Sequence, residues 1–195
     1  MTMTSDIQLL RREVLGRGHA TLERVTVRRK RFDGRRQDVT RDVYTRGDAA
    51  TILLYDLARG TVVLVRQFRP GAFVGHGEPD LLEAPAGKLE GADALTRMLM
   101  EVEEEAGFRI ATARKVFEAY MSPACLTERI TFFVAPYTPA DRVSAGGGLE
   151  DEGEDIEVVE PTLGEALAMV ETGRIIDVKT IALLHYAVST RLMTA

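Results

Sequence analysis

The sequence predicts an α+β fold in which a sheet is packed between helices. Three observations carry this. Two adjacent apolar, β-branched runs, ATILLYD and TVVLVRQF, read as a central hairpin. Asp93 to Ala106 places Leu95, Leu99, Val102 and Ala106 at spacings of four, three and four, one apolar stripe of a helix. Two further amphipathic segments, Thr162 to Thr172 and Val178 to Leu192, read as helices near the end of the chain. Many strands with a few helices make an α+β arrangement, a helix–sheet–helix sandwich.

In chain order, Ala20 to Arg46 alternates apolar and polar residues around Asp33-Gly34, a strong hairpin signal. Its strands are expected at Thr21 to Arg31 and Arg35 to Tyr44. Few of their side chains are large and apolar, so the hairpin needs another surface, and a partner subunit is a natural one. Residues 1–47 are therefore set apart as a dimerisation region, with 48–195 as the main domain. After the central hairpin, Gly71 to Asp80 reads as a loop and LLEAPAG as a short strand entering a turn. Gly107 ends the long helix. VFEAYM, ITFFVAPY and IEVVE read as strands, and Ala145 to Asp155 as a glycine-rich, acidic loop.

With 195 residues, 45% hydrophobic and 28% charged, the composition is that of a folded domain. A formal charge of -5 disfavours non-specific nucleic-acid binding, which needs a basic face. Cys125 is the one cysteine, so no intrachain disulfide forms. No apolar run has the length of a signal peptide or membrane span, and the expectation is a cytoplasmic protein that binds no membrane.

The chemistry concentrates in GKLEGADALTRMLMEVEEEAGF, residues 87–108. Glu101 and Glu105 are four apart and share a helix side, with Glu104 between them. Three carboxylates this close repel on a bare helix, and a hard divalent cation removes the conflict. The turn APAGKLEG before the helix can bring backbone groups close to a metal or phosphate. A solvated acidic face is the plain alternative.

This segment resembles the Nudix box: Gly87, Glu101, Val102, Glu104, Glu105, Gly107 and Phe108 match its pattern in order. The interval is one residue short, Asp93 stands for the first glutamate, and Met100 replaces the arginine before Glu101. Arg97 could replace that arginine at i,i+4. RDVYTRGDAATILLYD, VVLVRQFRP, FEAYMSP, AGGGLEDEGEDIEVVE and GRIIDVKT extend the resemblance to the GDP-mannose and ADP-ribose pyrophosphatase branch, which carries the shortened box.

The resemblance implies a Nudix α/β/α sandwich with a mixed sheet, whose N-terminal β-hairpin region is exchanged in a homodimer. It implies Mg²⁺, with Mn²⁺ as a substitute, held by Glu101, Glu105, the Ala86 carbonyl, Glu154 and Glu128. Glu104, Glu152 and Glu154 are implied for catalysis. Arg69, Lys179, Gly87 and Lys88 are implied to meet a nucleoside-diphosphate sugar. Arg41, flanked by Thr40 and Asp42, and His19 are implied for nucleotide binding through the N-terminal hairpin. His19 and Thr40 depart from the Tyr and Lys common in relatives, which leaves sugar and base open. A nucleotide-sugar sensor that kept the fold while its box decayed is the rival expectation.

Overall fold

The computed structural model describes residues 6–194, apart from the side chain of Glu152. The chain divides into two compact units: residues up to Asp48 with Tyr120–Arg129, and Ala49–Ala119 with Ile130 onward. The segment Tyr120–Arg129 thus joins the first unit although it lies more than seventy residues downstream of it.

The first unit is a three-stranded antiparallel sheet of β1 (Ile7–Arg17), β2 (Thr21–Lys30) and β3 (Arg36–Thr45), in that spatial order. The sequence foresaw β2 and β3 and missed β1. Side chains alternate between faces along a strand, and the register sorts them. One face carries Ile7, Leu9 and Val14 of β1, Val25 and Val27 of β2, and Val39, Arg41 and Val43 of β3. The other is a polar ladder: Arg24–Asp42, Thr26–Thr40 and Arg28–Asp38 pair across the strands at 2.7–2.9 Å. Arg12 clasps the buried Glu23 through two bonds on the apolar face. The end of β3 is tied to the added segment, with Tyr44 N–H donating to Cys125 O at 2.7 Å.

The second unit is built on a seven-stranded sheet. Its main path runs β10 (Glu157–Val159), β5 (Thr61–Phe68), β4 (Ala49–Asp56), β9 (Arg129–Pro136), β8 (Arg114–Tyr120). β6 (Asp80–Glu83) pairs with β5, and β7 (Ala86–Lys88) with β4. The sheet is mixed, because β4 and β9 run parallel while β4 and β5 run antiparallel. Central strands buried on both faces read as continuous apolar runs, and β4 and β5 do so. Ala50, Ile52 and Leu54 of β4 and Val63 and Val65 of β5 pack under α2 (Ala94–Glu101) with Met98, Val102, Ala106 and Phe108. On the other side α3 (Leu163–Glu171) packs on β5 and α4 (Val178–Ser189) on β4. Leu163, Ala166, Leu183, Leu184 and Ala187 are buried there. This is the helix–sheet–helix sandwich expected. One element differs: Pro70–His76 is a short helix, α1, where a loop was expected, closed by Gly77 in the left-handed region. None of its residues is buried, so it left no apolar pattern to find.

Candidate active site

The site is assembled around the end of α2. Asp93 caps the helix, its carboxylate accepting from Thr96 N–H at 3.0 Å. A short acidic residue suits that position, which gives Asp93 a structural duty where the box has glutamate. After Glu101 the helix widens into a π turn over Val102–Ala106. Such turns are rare and cluster at functional sites. Gly107 ends it at φ 75, where a Cβ would strike Ser144 O and Gly146 N.

This geometry turns Glu101 and Glu105 inward; only 7% and 2% of their surface stays exposed. Glu105 accepts from Ala86 N–H at 3.2 Å and from the Gln67 amide at 3.5 Å. Burial, then the neighbouring Glu101 and Glu154 charges, push its carboxyl up to about 8, against relief from Ala86 N–H and Arg69. Glu101 lies directly over Gly87: a Cβ built there would overlap its carboxylate. Arg97 reaches Glu101 at 2.8 Å, taking the place that Met100, half exposed, does not fill. Glu104 is partly buried on the same turn.

The acidic loop is anchored. Gly147 and Gly148 N–H donate to the carbonyls of Glu105 and Glu104 at 3.0 and 3.1 Å. At Gly148, φ is 78, and a side chain would collide with Glu154. Glu154 is thereby folded back, accepting from Leu149 N–H at 3.0 Å, and its charge is felt at Glu105. The side chain of Glu152 lies outside the described residues, so the structure does not place this expected catalytic group.

Arg69 caps the start of α1 and donates through Nε to Glu83 at 2.6 Å. Lys179, in the first turn of α4, donates to Asp177 at 2.5 Å and to Glu83 at 3.3 Å. Lys88 and Gly87 stand on β7, partly buried. The second unit therefore gathers Glu101, Glu105, Glu154, Ala86 and Gly87, with the charge of Arg69 felt at Glu105 and at Lys179.

The remaining expected residues belong to the first unit. Glu128 is buried and ion-paired with Arg46 at 3.3 Å. Arg41 shares its face with Val25, while Thr40 and Asp42 point to the opposite face and pair with Thr26 and Arg24. The sheet separates these three neighbours rather than joining them. His19 is exposed in the bend between β1 and β2.

Two residues went unnoticed in the sequence. Gln67 continues the inward set Val63, Val65 of β5, and a buried amide at that phase was the available signal. Glu83 is 3% exposed between two cations 14 and 96 residues away, which no local pattern reveals.

The donor set is hard oxygen, and it fits a Mg²⁺-like cation. Two buried carboxylates repel at Glu101 and Glu105, and the bare glycine at position 87 makes the room that the Glu101 carboxylate occupies. Among the described residues, no three His, Cys, Asp or Glu side chains already form a metal cage. Mg²⁺ commonly takes one or two carboxylates and completes its shell with water and substrate phosphate.

Fold and site together define a class: a helix–sheet–helix sandwich with paired glutamates closing against a glycine turn and an acidic loop. No family model matches the chain. It is 43% identical over 192 residues to the GDP-mannose pyrophosphatase of Escherichia coli (strain K12), spanning 98% of this chain and 100% of that one. Identity and coverage are the same for the GDP-mannose pyrophosphatase of Escherichia coli O9:H4 (strain HS). A crystal structure of an ADP compounds hydrolase superposes with a TM-score of 0.68 at 18% identity, covering 95% of this chain and 94% of that one. The chain belongs to the Nudix hydrolases, in the GDP-mannose and ADP-ribose pyrophosphatase branch. Among the described residues no helix is long and apolar enough to cross a membrane.

Proposed function

We propose that the chain hydrolyses the pyrophosphate bond of a nucleoside-diphosphate sugar, of GDP-mannose or ADP-ribose type, with Mg²⁺, or Mn²⁺ in its place. The observation that carries this is the buried Glu101–Glu105 pair over Gly87, within a chain 43% identical to GDP-mannose pyrophosphatase. Glu101 and Glu105 would hold the metal, with Glu154 reaching it from the anchored loop. The bound cation supplies neutralisation of developing phosphate charge and an acidified water. Arg69 and Lys179 orient the diphosphate. Glu154, Glu104 or Glu152 takes the proton of the attacking water. The P–O–P bridge breaks, leaving a nucleoside monophosphate and a sugar phosphate. With one cysteine, exposed, and no intrachain disulfide possible, the reaction suits the reducing cytoplasm.

A substrate panel of GDP-mannose, ADP-ribose, ADP-glucose and dinucleoside polyphosphates, with Mg²⁺ or Mn²⁺ and phosphate release as readout, tests the proposal. Turnover on a nucleotide sugar is expected. Tight binding of one with no turnover anywhere on the panel gives the sensor reading the field.

The active form is a homodimer that exchanges its N-terminal sheets. Ile7, Leu9 and Val14 are 63%, 58% and 42% exposed on the face that also carries Arg41, and a second copy would cover them. Arg41 then serves the glutamates of the other chain. Mixing Arg41→Ala with Glu105→Gln chains should restore part of the activity that each parent lacks, because one site per mixed dimer is intact. Absence of recovery, with subunit exchange demonstrated, rules out the shared site.

A further inference from the structure

Glu83 is a buried carboxylate whose two oxygens serve different cations: Oε2 accepts from Arg69 Nε at 2.6 Å, and Oε1 from Lys179 Nζ at 3.3 Å. Holding α4 against β6 is already the work of others. Ala84 N–H donates to Thr180 Oγ1 at 2.7 Å, and Thr180 is locked to Asp177 through its N–H and hydroxyl at 2.9 and 2.7 Å. A buried ion pair is in any case a weak source of stability, because desolvation offsets the attraction. What Glu83 adds is orientation. Arg69 bonds to Glu83 through Nε at 2.6 Å, so its two Nη groups are the fork that can take two oxygens of one phosphate. Lys179 spends two of its three donors on Glu83 and Asp177 and keeps one.

From this geometry we infer that Glu83 is a positioning residue that sets Arg69 and Lys179 side by side as a two-cation clamp for the diphosphate of the substrate. The inference rests on the proposed nucleotide-diphosphate chemistry and adds the residue that shapes its recognition. Glutamine at this position keeps the volume but offers one acceptor, so one cation is released. Ordering two long side chains in advance lowers the entropy lost on binding.

The test measures GDP binding by calorimetry with Mg²⁺ for the wild type, Glu83→Gln, Arg69→Ala and the double variant. Glu83→Gln is expected to weaken GDP about 10-fold while still folding, with Tm lowered because a buried cation loses one of its partners. The double variant should lose less than the sum of the two single losses, since with Arg69 absent Glu83 is left with only Lys179 to position. Unchanged GDP affinity in folded Glu83→Gln, or losses that add, overturns the inference. If Glu83→Gln does not fold, Arg69→Ala and Lys179→Ala are combined instead. Effects that depart from additivity by more than about threefold support the clamp, and additive effects overturn it. Turnover is assayed in parallel. Wild-type protein that shows this binding pattern but hydrolyses nothing removes the hydrolase reading and leaves the clamp standing.

Discussion

Glutamine in place of Glu105 is expected to lower turnover by about 10²-fold or more while making the metal-free protein more stable at alkaline pH. The first effect follows from losing an anionic ligand of the proposed metal. The second follows from the carboxyl's raised position. Its folded value, about 8, lies above the ordinary 4.5, so the folded chain keeps a proton that the unfolded chain has released. That contribution is complete below pH 4.5 and is lost as pH rises through 8. Glutamine does not titrate, and it still accepts from Ala86 N–H. At pH 9, without metal, the variant should melt above wild type by about 3 °C or more, on the order of 1 kcal/mol for a chain of this size. Thermal scans between pH 5 and 9, with and without Mg²⁺, measure it, and added Mg²⁺ should raise the wild type alone. A variant that melts below wild type at pH 9, or that keeps near-normal activity, places the metal elsewhere.

The second large effect is expected at Gly87. A Cβ there would occupy the seat of the Glu101 carboxylate, overlapping Cγ, Cδ and Oε1 together. A rotation of the carboxylate alone does not clear it. Glu101 must leave, and Arg97 loses its 2.8 Å partner. Gly87→Ala should therefore behave as a loss of Glu101, with kcat down by about 10–10²-fold. Overpacking of this kind costs about 1–3 kcal/mol, a Tm loss of several degrees. The distinguishing measurement is the double variant Gly87→Ala/Glu101→Ala, which should be no slower than Glu101→Ala and should regain thermal stability. Normal kcat in Gly87→Ala would show that Glu101 works from another position.

What the sequence revealed follows the range of the interactions involved. β4 and β5 were legible because strands buried on both faces need apolar, β-branched runs. Glu101, Glu105 and Arg97 were legible because one helix turn joins them. β1 was not, since its register shifts between Leu9 and Arg11 and again between Val14 and Gly16, and each shift resets the two-residue alternation. The hairpin at Asp33-Gly34 was plain, yet neighbours in sequence, Thr40, Arg41 and Asp42, parted onto two faces of a strand. Glu83 and the anchoring of the acidic loop were hidden because both depend on contacts from remote segments: Lys179 is 96 residues from Glu83. Gly147 and Gly148 bond to Glu105 and Glu104 more than forty residues earlier.

The π turn at Val102–Ala106 has a bearing on how this protein can vary. A turn closed by i→i+5 bonds takes up one residue more than an α turn. Glu103, half exposed, has only a local attachment, to Arg109 at 3.0 and 2.6 Å, so its chemistry can drift. Its presence cannot. Deleting it would close the stretch as an α turn and change how Glu104 and Glu105 are spaced between Glu101 and Gly107, moving the Glu105 carboxylate relative to Ala86 N–H. A substitution at Glu103 leaves the length of the stretch intact, whereas an engineer inserting or removing a residue there would be changing the spacing of Glu101 and Glu105 on which the site rests.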